Sequence, residues 1–321
     1  MPDSLIIQGD ARHIPLADES VQCVVTSPPY WRQRDYGTAG QIGLETTPEE
    51  YVGHLLEIFR EVRRVLRSDG VLWLNIGDKW ASGGHGGGGS SGYKDKDLVG
   101  IPWMTAFALR ADGWFLRQCN IWAKPNGMPE SVRDRSTISH EYVFQLSKRN
   151  DYFYNSEAAR TPMQPTSETR LAQETESQHG SDRANGGART NRPMRAVRRS
   201  EKQRGHSRRH AGFNDRWDEM ERNEQMQNGA NLRSVWWIAP AQYREAHFAV
   251  MPEGLATICV LASSRDGDMI CDPFAGSGTV GVVCARLNRR FVGIELSEEY
   301  CRMAVKRIAP YAAQAHLPLG G

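Results

Sequence analysis

Six consecutive residues, Thr26-Ser27-Pro28-Pro29-Tyr30-Trp31, bring together a hydroxyl, two stiffened carbonyls and an aromatic pair. Each proline fixes φ and lacks an N–H, so the carbonyls around the pair belong to no regular ladder and stay available as acceptors. A rigid carbonyl beside the Ser27 hydroxyl, with the Tyr30 ring just beyond, suits a flat group that carries an amino function and offers a π-face. A nucleobase has that chemistry. A strand followed by an ordinary Pro-Pro turn is the alternative reading of these residues.

A second group lies far along the chain. Asp272-Pro273-Phe274-Ala275-Gly276-Ser277-Gly278-Thr279 follows the strand candidate 268–271 and precedes a helical pattern of Val280, Val283, Cys284 and Leu287. Strand, glycine turn and helix form the setting of a nucleotide cradle: glycine lets a backbone come close to a ligand, and a helix N-terminus presents free N–H groups. Glu295 ends the next strand candidate, nineteen residues past Gly276, where an acid commonly takes ribose hydroxyls. Asp10 ends a third short strand candidate, 5–7.

The elements that must position these groups alternate between strand and helix. Val21, Val24 and Val25 suit a buried strand ending at Thr26. Thr47, Pro48 and Glu50 make a capping box with proline at the first helical position, and apolar residues at helical spacing carry that helix to about residue 67, with Gly70 as the stop. A strand over 71–76 then completes a parallel crossover. A helix is expected over 98–111, strands over 114–122 and 141–146 as a hairpin at the sheet edge, a return to a folded pattern at 235–238, a helix over 253–262 and a strand over 290–294. The glycine- and serine-rich run 81–92 reads either as a lid or as a plain connector.

Composition narrows the class. The 321 residues are 39% hydrophobic and 24% charged, as in soluble globular proteins, and the N-terminus lacks the basic and apolar regions of a signal peptide, so a cytoplasmic protein free of membranes is expected. Six scattered cysteines have no metal-ligand spacing, and no metal is expected. The net charge of +2 hides a segregation: residues 183–209 carry ten Lys or Arg against the single acid Glu201. A basic segment inside a folded chain favours a polyanionic partner.

Together the two motifs resemble those of the S-adenosylmethionine-dependent amino-methyltransferases of DNA. The turn at 26–30 looks like their catalytic Ser-Pro-Pro-Tyr motif, the turn at 272–279 looks like their cofactor loop, and the order of the two is similar to the circularly permuted β group. The resemblance covers residues 5–154 and 235–308. It implies a Rossmann-like α/β sheet of seven strands, mostly parallel with one antiparallel, split into a catalytic half (1–155), a basic target-recognition insertion (156–234), a cofactor-binding half (235–310) and a tail (311–321).

By the same resemblance Ser27, Pro28, Pro29 and Tyr30 are catalytic, and Tyr30 with Trp31 offers a stacking surface to a base flipped out of the duplex. Phe274, Gly276 and Gly278 line the methionine part of S-adenosyl-L-methionine, Asp272 and Thr279 belong to the same loop, Glu295 binds the ribose, Asp10 approaches the adenine amino group, and 247–255 completes the pocket. Arg192, Arg195, Arg198, Arg199, Lys202 and Arg204 are the candidate contacts to double-stranded DNA. A homodimer and a restriction endonuclease partner are compatible with the family. Serine at the first motif position favours the cytosine N4 amine over the adenine N6 amine. No Pro-Cys pair is present to supply the thiolate that methylation at cytosine carbon 5 needs. An RNA or protein methyltransferase would keep the cofactor loop but leave the basic insertion unexplained; a non-catalytic nucleic-acid binder would need only the arginines.

Overall fold

A computed structural model describes residues 4–81, 93–127, 129–161, 229–242 and 249–314. The glycine-rich run from 82 onward, the six candidate DNA contacts at 192–204, and His247 and Phe248 lie outside the described residues. The chain divides into two compact units, Met1–Ala158 with Arg233–Gly321, and Ala159–Leu232. Of the second unit, the described part is a single antiparallel bridge, Thr161 with Ala230, and the residues beside it.

The first unit begins with β1 (Ser4–Gln8) and β2 (Val21–Thr26), the latter buried at all six positions as a strand covered on both faces must be. Helix α1 (Pro48–Val65) starts at the expected capping box: Glu50 N donates to Thr47 Oγ1, and the Glu50 carboxylate accepts from Thr47 N. Its stop differs from expectation. The backbone turns extended at Leu66 and β3 (Leu66–Ile76) begins at once, so Gly70 sits inside a strand. A Cβ there would lie 2.9 Å from the Gln22 carbonyl and 2.7 Å from the Leu66 side chain, so this glycine serves close packing between β2 and β3 rather than helix termination.

Helix α2 (Ile101–Ala111) starts three residues later than its periodicity predicts. Its cap is remote: Asp78, just past β3, accepts from Gly100 N at 2.9 Å and Ile101 N at 3.1 Å. Then come β4 (Phe115–Ala123), β5 (His140–Ser147), β6 (Val235–Trp237), and the short pair β7 (Ala241–Gln242) and β8 (Ala249–Val250). The chain continues through α3 (Glu253–Ser263), β9 (Met269–Asp272), α4 (Thr279–Arg286), β10 (Arg290–Glu295) and α5 (Glu298–Gln314). Helix α5 is not among the elements expected from the sequence, and it extends into the expected tail. Ala304 and Ile308 of α5 are buried.

Eight strands, one more than expected, form a sheet in the order β1-β10-β9-β2-β3-β5-β4-β6. The additional strand is β6, three residues pairing parallel to β4 and packing Trp236 against Trp73. It covers the hairpin expected at the edge, so β4 and β5 are both internal. Within this sheet β5 runs antiparallel to its neighbours and the other described strands pair in parallel. Side chains alternate between the two faces: Val24, Leu72, Leu74, Cys271 and Ile294 share a core with α1 and α2, while Trp73 reaches Ser263 of α3. No helix among the described residues is long and apolar enough to cross a membrane.

Candidate active site

Strand direction gathers the chemistry on one edge. β1, β10, β9, β2, β3 and β4 point the same way, so Asp10, Glu295, Asp272, Ser27, Asp78 and Lys124 all lie at or just past strand ends there, and antiparallel β5 contributes its first residues, His140 and Glu141. The chain leaves β2 toward β3 and leaves β9 toward β10, in opposite directions along the sheet. Between β2 and β9 the strand order therefore reverses, and open α/β sheets hold their ligands in the crevice at that point.

A buried hydrogen bond joins the two sides of the reversal. Thr26 Oγ1 donates to Asp272 Oδ1 at 2.7 Å across 246 residues of chain, and the same oxygen accepts from Phe274 N at 3.0 Å. Burial pushes the Asp272 carboxyl up to about 7, against the lowering effect of these two donors. The proline turn and the glycine turn are thus fixed to one another at their first residues.

In the glycine turn, Gly276 has φ +50° and a Cβ would meet no atom closer than 3.9 Å, so its backbone is open to an approaching group. Gly278, at φ +78°, serves packing instead, since a Cβ would lie 2.9 Å from Ala304 and this glycine thereby admits α5. Phe274 is half-buried against the core. Glu295 closes the turn, accepting from Gly276 N at 2.8 Å and Ser297 N at 2.9 Å, with its carboxyl raised by burial and lowered by those donors. Thr279 is buried, and its hydroxyl accepts from Arg307 Nη1 at 3.0 Å, as does that of Ser277. Thr279 therefore braces α4 to α5 through its side chain.

Asp10 lies on the same edge, next to the end of β10, where Gly9 N donates to Glu295 O at 2.9 Å. Its carboxylate is engaged by Arg12, with Nη2 at 2.6 Å, Nε at 2.9 Å and the backbone N at 2.9 Å, and this guanidinium holds it below the usual carboxylate range.

The proline turn is held by side chains from distant elements. Tyr51 of α1 donates to the Pro29 carbonyl at 2.7 Å. The Pro28 carbonyl takes no donor among the described residues. Trp31 is only 4% exposed and donates Nε1 to the Glu45 carbonyl, so it is a core residue and not the stacking surface expected of it. Ser27 Oγ lies 3.3 Å from the Tyr30 hydroxyl, which donates to Glu141. Burial first, and the Glu141 charge second, raise the Tyr30 phenol well above its ordinary range. Gly77 packs on the Tyr30 ring, where a Cβ would come within 2.7 Å.

Sequence reasoning missed Asn75, Lys124 and Glu141. Asn75 Nδ2 donates to Glu141 Oε2 at 3.0 Å, and Lys124 forms an ion pair with Oε1. A signal existed: Glu141 is an acid at the mouth of an apolar strand, as Asp10 and Glu295 are, but it begins its strand where they end theirs.

Fold and site define an open α/β sheet with a nucleotide-type glycine turn and a polar, aromatic turn facing each other across its switch point. Comparison with known proteins gives that class a family: a profile for DNA methylases of the N6/N4 type matches residues 21–306, and the chain belongs to this family. It is 42% identical to the Type II methyltransferase M.SmaI of Serratia marcescens, over 94% of this chain and 90% of that one. To the Type II methyltransferase M.Cfr9I of Citrobacter freundii it is 39% identical, over 94% and 87%. Among solved structures, a putative DNA modification methylase from Thermus thermophilus, complexed with S-adenosyl-L-methionine, superposes with a TM-score of 0.57 at 23% identity, covering 96% of this chain and 94% of that one. PvuII DNA methyltransferase (cytosine-N4-specific) superposes at 0.60 with 16% identity, covering 98% and 94%. At these identities the two structures establish the shared fold.

Proposed function

We propose that this protein transfers a methyl group from S-adenosyl-L-methionine to the exocyclic amine of a base flipped out of double-stranded DNA, with cytosine N4 as the target. The observation that carries this reading is the Thr26–Asp272 hydrogen bond, which fixes an amine-holding turn beside a glycine turn at the sheet's switch point. The cofactor fits the second turn on two counts: the open backbone at Gly276, and the half-buried Phe274 beside a half-buried acid, Glu295. Asp272 and Gly278 shape this turn, and Thr279 anchors it. When bound, the cofactor supplies an electrophilic methyl on a sulfonium.

The chain's own residues address the poor nucleophilicity of the amine, whose lone pair is delocalised into the ring. Ser27 Oγ and the Pro28 carbonyl accept the two amine hydrogens, which favours a tetrahedral nitrogen with its lone pair localised. Tyr30 offers ring surface to the extruded base and offsets part of an unstacking cost of a few kcal/mol. Glu295 takes ribose hydroxyls with its remaining lone pairs. The order of the two turns along the chain supports the permuted β-group arrangement. Ser27, a weaker acceptor than a carboxylate, supports cytosine. Arg192, Arg195, Arg198, Arg199, Lys202 and Arg204 are proposed to neutralise phosphates, so that replacing them flattens the fall of log affinity with log salt.

Incubation with DNA and methyl-labelled cofactor, digestion to nucleosides and mass spectrometry test the reading. N4-methylcytosine is expected. Label on the adenine amine alone would overturn the choice of base, and absence of label from DNA would overturn the reading as a whole.

A further inference from the structure

Sheet register surrounds one carboxylate with three partners. Glu141 stands opposite Trp122 on β4, Asn75 on β3 stands opposite Val143, two residues further along β5, and Lys124 follows the last residue of β4. Glu141 Oε1 takes the Lys124 ammonium; Oε2 takes the Asn75 amide at 3.0 Å and the Tyr30 hydroxyl. The Lys124 and Glu141 side chains are 22% and 13% exposed, so water competes little for these bonds.

The chemistry of the partners fixes the direction of the chain. As the carboxylate partner of an ammonium, Glu141 has no hydrogen to give, and Lys124 and the Asn75 amide have only hydrogens to give it. Tyr30 must donate to Glu141. Its oxygen then has only lone pairs for Ser27, 3.3 Å away, so the Ser27 hydrogen points to Tyr30. Ser27 is left with lone pairs for whatever enters the crevice.

We propose that Glu141, braced by Lys124 and Asn75, is a positioning residue that sets the direction of the Tyr30 and Ser27 hydrogen bonds so that Ser27 meets the incoming amine as an acceptor. The proposal rests on the reading of the Ser27 turn as the amine-holding site. Reversal of the chain would turn the Ser27 hydrogen toward the amine hydrogens, setting donor against donor.

Glu141→Gln makes that reversal with little change of shape. Lys124 can only donate, so the new amide turns its oxygen to Lys124 and its N–H2 toward Tyr30, and the Asn75 amide keeps only its bond to the Tyr142 carbonyl. Tyr30 then accepts from the amide and donates to Ser27. We expect kcat to fall about 10- to 100-fold, the scale of one hydrogen bond to a charged group, with KM for DNA and Kd for the cofactor within about threefold of wild type. In a Tyr30→Phe background there is no hydroxyl to reverse, so adding Glu141→Gln costs no further activity; two independent structural losses would instead multiply. Tyr30→Phe alone takes away the acceptor that holds the Ser27 hydrogen and is expected to give the same split, which keeps the proposal testable if the glutamine variant does not fold. Wild-type kcat in Glu141→Gln, or multiplying losses in the double variant, would overturn the positioning role alone. A wild-type protein that moves no methyl to DNA would overturn the functional reading, and this role with it.

Discussion

The two turns that face each other across the sheet are built on opposite plans. The glycine turn is nearly self-contained: Asp272 binds Phe274 N two residues on, Gly276 and Gly278 supply the left-handed backbone, and Glu295 reaches back to Gly276 N from the adjacent strand. The proline turn has two local bonds, from Ser27 to the Tyr30 hydroxyl and from Gln33 N to the Tyr30 carbonyl, and is otherwise held from a distance by Asp272 at Thr26, Tyr51 of α1, Glu141 of β5 and the close approach of Gly77. One is shaped by backbone conformation, the other by packing. A backbone-shaped cradle gives its ligand N–H groups and space, whereas a side-chain-shaped turn gives directional acceptors whose orientation depends on remote partners.

The largest expected effect lies on the side-chain-held turn. Tyr30→Ala deletes the link from Ser27 to Glu141 and the ring surface for a base at once. Turnover is expected to fall about 10²- to 10³-fold, the range seen when one oriented polar group leaves a reaction centre. Cofactor affinity by calorimetry should change by less than about threefold, because the Tyr30 hydroxyl bonds Ser27 and Glu141 and, among the described residues, makes no hydrogen bond to the glycine turn. Loss of cofactor binding with normal turnover at saturation would break the division between the two turns.

Next is the residue that ties them together. The folded Asp272 carboxyl, at about 7 against an ordinary 3.8, holds its proton more tightly than the unfolded chain does. Between those values the folded state carries more protons, so this group's contribution to stability falls as pH rises through the window and is constant above it. Asp272→Asn keeps an acceptor for Thr26 Oγ1 and Phe274 N and has nothing to titrate. Denaturation at a series of pH values from about 4 to 7 should show wild type losing on the order of 2–3 kcal/mol relative to the variant. Parallel curves would show that Asp272 is not a buried acid in solution.

How much of this was legible follows from the same contrast. The glycine turn was readable because its determinants are consecutive: strand, Asp272, Gly276, Gly278, helix and then Glu295 at the next strand end. The proline turn was recognisable as a motif, but its partners were not, because Glu141, Lys124 and Asn75 meet it only through the register of β3, β5 and β4. Trp31 was misread for the same reason, as nothing local reveals that Glu45 accepts its N–H. The helix starting at Ile101 was placed early because its cap, Asp78, belongs to another element. The edge was misjudged because β6, three residues long, carries too little pattern to announce a strand.

Within the backbone-shaped turn the two glycines separate ligand space from packing. Gly276→Val puts a β-branched residue at φ +50° and fills open space, so it should weaken cofactor binding about tenfold or more. Gly278→Ala meets Ala304 at 2.9 Å and carries φ +78°, so it should lower unfolding free energy by about 1–3 kcal/mol, read as a drop in Tm. The reverse assignment of effects would show that Gly278 is the ligand contact and Gly276 the packing one.

Asp10 is the smallest case and the sharpest limit on the contrast, since family resemblance makes it a cofactor contact while the structure gives its carboxylate to Arg12. The guanidinium spans both oxygens and the Arg12 N–H adds a further bond to Oδ1, which leaves little acceptor capacity for an amino group. The Arg12 and Asp10 side chains are 31% and 33% exposed, so the pair is screened and worth about 0.2–1 kcal/mol to the fold. Asp10→Asn keeps one acceptor for the Arg12 N–H and removes the charge. Unfolding free energy is expected to fall within that small range. Cofactor affinity should stay within about twofold of wild type, while Glu295→Ala weakens it by about 1–3 kcal/mol through lost ribose hydrogen bonds. A loss for Asp10→Asn as large as that for Glu295→Ala would mean that Arg12 yields the carboxylate when the crevice fills, and that the first turn of the chain belongs to the cofactor cradle as well.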